Sequence, residues 1–231
     1  MKAFLLAAGL GTRLRPLTNE TPKCLIEING KPLLSWWVDL LSLHNIKEVL
    51  INIHYLPEKV INFISEINKV KFVPFHEKEL LGSAGTILRN REFVKNENDF
   101  LIAYADNLTN YNLSDMFKFH KLNNSVLTMA LYKTDIPKQK GIVQLDNNNT
   151  IIDFVEKPIS PKSNLANAGL YFCKQDVFDF LDDNSFDIGF DLLPKLINNM
   201  SGWVTDDYLI DIGTYEQLKQ ARDEWNKINN N

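Results

Sequence analysis

The residues best suited to chemistry lie near the start of the chain, in Leu5-Leu6-Ala7-Ala8-Gly9-Leu10-Gly11-Thr12-Arg13-Leu14-Arg15-Pro16-Leu17-Thr18, followed by Thr21-Pro22-Lys23. Glycines at 9 and 11 let the backbone turn sharply and bring its N–H groups up to a ligand. Consecutive N–H groups in such a turn form a nest for an anion. Arg13, Arg15 and Lys23 add three cations close by. A lone Gly-x-Gly fits a plain turn with a solvated basic face just as well. Glycines, cations and the Pro22-Lys23 pair together predict a phosphate-binding loop.

Spacing excludes two better-known loops. A P-loop needs G-x-x-x-x-G-K-[ST], and no Lys-Ser or Lys-Thr follows these glycines. A dinucleotide loop needs a third Gly or Ala where Leu14 stands, and an acid at the end of the second strand. That strand is expected over Val49 to Tyr55, and it runs into His54-Tyr55-Leu56-Pro57.

Two acids also stand out. Asp106 follows the apolar run Phe100 to Ala105, and Asp211 sits between Leu209-Ile210 and Ile212-Gly213. Carboxylates at strand ends, distant in sequence, suit Mg²⁺, which takes few protein ligands alongside phosphate oxygens. A single Asp in such a place is more often a cap or turn former.

Residues 5 to 23, LLAAGLGTRLRPLTNETPK, closely resemble the opening of the sugar-1-phosphate nucleotidylyltransferases. These enzymes join a nucleoside triphosphate to a sugar 1-phosphate and release pyrophosphate. The family pattern, roughly L-A-A/G-G-x-G-[TS]-R-[LM]-x-P-[LM]-T…P-K, is met at every position. The resemblance implies nucleotide contacts from Leu6, Ala7, Ala8, Gly9, Gly11, Thr12 and Arg13. It makes Arg13, Lys23 and Lys157 the catalytic cations, with Lys23 also near the sugar phosphate. It implies Mg²⁺ held by Asp106 and Asp211, because relatives use an Asp in a G-D or A-D context and another in D-x-G. Ala105 stands here where Gly is commoner.

Further motifs follow in the family's order. Glu156-Lys157-Pro158 matches an E-K-P whose Lys contacts the sugar phosphate and whose Glu accepts bonds from sugar hydroxyls. Gly141 matches a glycine that lets the backbone lie against the sugar, and Asn167-Ala168-Gly169 resembles an N-A-G whose Asn binds sugar hydroxyls. Glu79 with Leu81-Gly82-Ser83-Ala84-Gly85 looks like E-x-x-L-G-T-A-G, which in relatives lines the nucleobase and sugar pocket. Without the resemblance these would read as a charged strand end, a turn and helix punctuation. The base pocket is expected around Leu6-Ala7-Ala8 and Glu79 to Gly85. A carboxylate at Glu79 suits guanine, which offers N1–H and an amino group; the same Glu79 could instead cap the helix after Gly82.

The elements that must position these groups can be read from periodicity. Ala3 to Ala8 predicts a buried strand, residues 32 to 45 a helix, and Pro57 opens a second helix. Val70 to Phe75 and Phe100 to Ala105 predict strands, with a helix from Gly82 to about Phe93. Later come a helix over Leu113 to Leu122, then strands at Val126 to Leu131, Ile142 to Leu145, Ile151 to Val155 and Ala168 to Cys173. Helices are expected near Gln175 to Leu181 and Phe190 to Asn198, and Tyr215 to Asn226 reads as the closing helix. Alternating strands and helices predict an α/β fold, a Rossmann-like αβα sandwich with a mixed, mostly parallel central sheet. Ligands in such folds sit beyond the carboxyl ends of the strands, where the glycine loop and Asp106 both fall.

At 231 residues the chain is expected to be a single domain with a nucleotide-binding lobe over 1–110 and a sugar-phosphate-binding lobe over 111–231. The Asn-rich last five residues look frayed, and the chain ends too early for the C-terminal β-helix domain of longer relatives. A formal charge of −4 with no basic stripe argues against nucleic acid as a main partner. No apolar stretch approaches a membrane span. Two isolated cysteines, Cys24 and Cys173, suggest reduced thiols and a cytoplasmic location. The four histidines share no metal-ligand spacing.

The expected reaction needs no general base. The attacking phosphate monoester has a second pKa of about 6 and is largely dianionic at neutral pH. The work lies in bringing two polyanions together and neutralising charge on the leaving pyrophosphate. The compact length and the Asp207-Tyr208-Leu209-Ile210-Asp211-Ile212-Gly213 ending resemble most the guanylyltransferases of the family, which implies GTP with mannose or D-glycero-D-manno-heptose 1-phosphate, for surface polysaccharide synthesis. UTP with amino-sugar or muramate 1-phosphates, or CTP or dTTP, are the alternatives, as is a catalytically silent regulatory relative. A homodimer is left open.

Overall fold

The computed structural model describes residues 1–229. In chain order the strands and helices are β1 Lys2–Leu6, β2 Glu27–Ile28, β3 Lys31–Pro32, α1 Leu33–Leu43, β4 Glu48–Ile53, α2 Pro57–Ser65, β5 Lys71–His76, α3 Gly82–Arg89 and β6 Asp99–Tyr104. They continue with β7 Asn107–Thr109, α4 Leu113–Asn123, β8 Leu127–Lys133, β9 Gly141–Leu145, β10 Ile151–Glu156, β11 Leu165–Lys174, β12 Met200–Val204, β13 Leu209–Asp211 and α5 Tyr215–Asn229. The fold is of the expected α/β class with a mixed sheet. Of the five residues expected to fray, 227–229 close α5, and Asn230 and Asn231 lie outside the described residues. No helix among the described residues is long and apolar enough to cross a membrane.

The chain forms two compact units that are discontinuous in sequence. The first takes residues 1–80, 104–111 and 207 onward; the second takes 81–103 and 112–206. The structure therefore divides the chain differently from the expected boundary at 110. The physical reason is β13, which pairs antiparallel with β7 and brings the C-terminal segment back to the first unit.

In the first unit β4 runs parallel to both β1 and β5, and parallel neighbours are joined by crossover connections. A separate core gathers Leu14 from the glycine-loop region, Ile28 of β2, Leu33 of α1, Leu108 of β7, Ile210 of β13 and Leu218, Ala221 and Trp225 of α5. Trp36 packs edge-on against Trp225 at 5.4 Å. In the second unit β11 pairs antiparallel with β6, β8 and β9, β10 extends the edge beyond β9, and β12 lies parallel to β8.

Several elements differ from expectation. The segment Gln175–Phe180 is a 3-10 turn, and residues 188–196 form one π turn and one 3-10 turn in place of a longer helix. Pro194 has no N–H to continue an α-helical ladder. Strand β12 and the short β2, β3 and β7 were absent from the sequence reading.

Candidate functional site

In the first unit β1 is fully paired through Leu6, and the chain then leaves the sheet as Ala7 to Gly11. Gly11 takes φ 63°, a left-handed conformation that favours glycine. A Cβ there would lie 2.9 Å from Thr18 Cγ2, and the Thr18 hydroxyl donates to the Gly11 carbonyl at 2.8 Å. Thr18 thus closes the loop, a role unseen in the sequence. A 3-10 turn over Thr12–Leu14 follows, with Leu14 in the core and the neighbouring Thr12 and Arg13 exposed. Burial of Leu14 fixes where Arg13 starts.

Beneath this loop lies a buried polar network. The Ala7 N–H donates to Asn52 Oδ1 at 2.6 Å, and Asn52 Nδ2 donates to Glu77 Oε1 at 2.8 Å. The Leu6 carbonyl accepts from the Ala105 N–H at 2.9 Å. Two backbone groups of the expected base-reading segment are thus already bonded within the protein. Asn52 and Glu77 stand at the ends of β4 and β5 and went unnoticed, since buried polar residues carry no periodic signal. Glu79, the acid expected in the base pocket, is exposed in the turn after β5. It does not cap α3 either, whose cap position is Leu81 with no side-chain bond.

The carboxylates and Lys23 come together in the same unit. The β7–β13 register sets Asp211 opposite Asn107, and the Ile212 N–H donates to the Asp106 carbonyl at 2.9 Å. Two acids a hundred residues apart are thereby neighbours. Lys23, in a 3-10 turn after Pro22, places its Nζ 2.5 Å from Asp106 Oδ2 and 3.5 Å from Asp211 Oδ1. The longer contact is an ion pair without hydrogen-bond geometry, and Asp211 Oδ1 is buried with no hydrogen-bond partner. Arg13 reaches the same corner: a Cβ built on Gly213 would lie 3.0 Å from its Nη2. Next to Lys23, burial pushes the Cys24 thiol up to about 12, so it stays protonated.

These carboxylates fit a Mg²⁺ ion on the chemistry of their oxygens. Among the described residues no group of three or more His, Cys, Asp or Glu gathers anywhere. Two converging carboxylates, one with an oxygen left without a donor, suit an ion that fills its remaining positions with water and phosphate oxygens.

The second unit holds its own cluster. A Cβ on Gly141 would meet Glu156 Oε2 at 2.5 Å, and one on Gly189 would lie 3.1 Å from both Glu156 Oε2 and Asp187 Oδ1. Burial, with the charge of Asp187 nearby, raises the Glu156 pKa against the pull of Lys157 and Lys140. The Ser83 hydroxyl donates to Asp187 Oδ2 at 3.3 Å and accepts from the Ile188 N–H at 2.8 Å. Gly82, at φ 73°, leaves no room for a side chain, since its Cβ would lie 2.1 Å from the Phe186 carbonyl; Ala84 N–H donates to that same oxygen. Gly82, Ser83 and Ala84 are therefore docked on residues 186–188. Asp187-Ile188-Gly189 was missed, although the same Asp-Ile-Gly triplet recurs at 211–213 and could have flagged it.

Asn167 uses its amide internally, accepting from the Gly169 N–H at 2.9 Å and donating to the Tyr171 hydroxyl at 2.7 Å. Lys157, at φ 49°, lines a cleft of about 360 Å³ with Ile142, Gln144, Val155 and Ile159. None of the Gly141, Glu156, Asp187 and Gly189 group lines that cleft, so Glu156 and its neighbour Lys157 face different surroundings. His120 is buried against Thr128 and Asp99.

The family model for nucleotidyl transferases matches residues 2–227. The chain belongs to the nucleotidyl transferase family. The mannose-1-phosphate guanyltransferase of Schizosaccharomyces pombe is 30% identical over 221 residues, covering 92% of this chain and 61% of that protein. The mannose-1-phosphate guanyltransferase of Yarrowia lipolytica is 31% identical over 220 residues, with the same coverages of 92% and 61%. The chain thus spans about three-fifths of the length of these curated relatives. Among solved structures, HddC from Yersinia pseudotuberculosis superposes with a TM-score of 0.82 at 24% identity, over 97% of this chain and 99% of that one. At that identity the likeness shows the fold alone.

Proposed function

We propose that this nucleotidyl transferase joins GTP to mannose 1-phosphate or a manno-heptose 1-phosphate, giving a GDP-sugar and pyrophosphate. The observation that carries the reading is the meeting of Asp106, Asp211, Lys23 and Arg13 at one corner of the first unit, beside the glycine loop. A triphosphate laid along that loop meets backbone N–H groups and two cations. Arg13, with its rigid fork, suits two phosphate oxygens at once, and Lys23 acts as a mobile point charge. Asp106 and Asp211 hold Mg²⁺, which supplies neutralisation of charge on the leaving pyrophosphate. On the acceptor side, Gly141 leaves room for the Glu156 carboxylate, which accepts from sugar hydroxyls, and Lys157 reaches the sugar phosphate from the adjoining cleft.

The choice of GTP and mannose leans on relatives near 30% identity that are named mannose-1-phosphate guanyltransferases. HddC has also been solved as a complex with GMP-PN. The deciding experiment is a pyrophosphate-release screen crossing GTP, UTP, dTTP and CTP with a panel of sugar 1-phosphates. GTP with mannose 1-phosphate or a manno-heptose 1-phosphate is the expected fastest pair. A preference for UTP or dTTP overturns the guanylyl assignment, and release from no pair overturns the activity itself.

A further inference from the structure

Lys23 occupies the position at which a cation for the two carboxylates belongs. Its side chain is 11% exposed, its ammonium lies 2.5 Å from Asp106 Oδ2 and 3.5 Å from Asp211 Oδ1, and the carboxylates are 35% and 32% exposed. Around it the cleft lined by Leu6, Ala7, Gly9, Cys24, Ala105 and Asp106 has only about 30 Å³ of free space, room for about one water. A divalent ion cannot share these oxygens with an ammonium at that range without strong cation–cation repulsion. The lysine hangs on a flexible four-carbon stem, so it can leave while its backbone stays in the 3-10 turn after Pro22.

We propose that Lys23 is a built-in counter-cation that competes with the divalent metal for Asp106 and Asp211. In the nucleotide-free protein it neutralises two carboxylates that would otherwise repel each other. A triphosphate in the glycine loop offers the ammonium a new set of oxygens, and its departure frees the acids for the metal. Metal and nucleotide then load with positive coupling, each raising the affinity for the other. The inference rests on the reading of Asp106 and Asp211 as metal ligands.

The test is Mn²⁺ titration of the nucleotide-free protein, followed by calorimetry and by the electron paramagnetic resonance of free Mn²⁺. Removing the competing charge in Lys23→Gln should tighten Mn²⁺ binding by about tenfold or more, a change on the scale of a close charge pair. Lys23→Arg keeps the charge and should bind as weakly as wild type. Equal or weaker binding in Lys23→Gln, or a tenfold gain in Lys23→Arg, overturns the competition. The ligand assignment is checked separately, by adding Asp106→Asn or Asp211→Asn to the Lys23→Gln background. If neither change weakens Mn²⁺ binding there, the metal assignment falls and the competition falls with it.

Discussion

Asp211 combines partial exposure with a buried oxygen that no donor reaches, so its charge serves a cation more than it serves the fold. Asp211→Asn keeps the shape and removes the charge. The expected result is a loss of ~10²–10³-fold in kcat/KM with little change in melting temperature, read by steady-state kinetics and thermal melts. Glu156 presents the opposite case. Burial first, and Asp187 second, raise its pKa, so its ionised form is the strained one. Its stabilising contribution is present below the ordinary glutamate pKa and is lost as pH rises through the raised value. Glu156→Gln should therefore gain stability relative to wild type as pH climbs out of the carboxylate range, in denaturant titrations at several pH values. A constant difference across that range would remove the role of burial. At this scale the charged motif residues were legible because chemistry selects their types. Asn52, Glu77 and Asp187 were not, because their significance lies in partners distant in sequence.

The strand pair β7–β13 accounts for the geometry of the two acids. Leu108 and Ile210 bury into one small core with Leu14, and each candidate site side chain stands beside a buried residue: Arg13 next to Leu14, Asp211 between Ile210 and Ile212. Gly213 follows at once, and its open face is where the Arg13 guanidinium lies. Its backbone is not in the left-handed region, so Gly213→Ala is tolerated by the chain while the added methyl displaces Arg13 and Gln217. The expected outcome is a several-fold rise in nucleotide KM with an unchanged melt, since moving the Arg13 guanidinium by even a few tenths of an ångström misaligns a positioning group. Long apolar strands and amphipathic helices were readable from periodicity. Strand β12 was not, because Ser201-Gly202 interrupts its apolar pattern; nor were the two-residue strands β2 and β3, too short to show a period.

On the scale of the molecule, the fold has an acid-sensitive point in the second unit. His120, on α4, is wholly buried against β8, with Nδ1 2.7 Å from the Thr128 hydroxyl and Nε2 3.3 Å from Asp99. Burial lowers its pKa from 6.5 to about 4, outweighing the pull of Asp99. Its neutral form stabilises the fold fully above the ordinary value, and the contribution is lost as pH falls through that window. The loss should reach about 3 kcal/mol, measured by chemical denaturation. A His120→Gln protein should show a flatter profile over the same range; an equally steep one would assign the acid loss to other groups. The α/β class was legible from alternating strands and helices. The boundary between units was not, because the pairing of β13 with β7 is a long-range event that no local composition announces.

The discontinuity of the first unit also sets an order in time. A ribosome delivers Arg13 and Lys23 before Asp106, and residues 112–206, the larger part of the second unit, follow before Asp211 emerges. Until β13 finds β7, a growing chain carries its cations and one acid with the second carboxylate still missing. Contacts closed over such sequence distances form slowly. Tyr215, whose hydroxyl donates to the Leu14 carbonyl at 3.0 Å, fastens the later-made α5 onto the earlier-made glycine-loop region. A nascent chain is thus unable to assemble this corner prematurely, and a protease that clips the segment after residue 206 disarms it while the strands of the second unit keep all their partners.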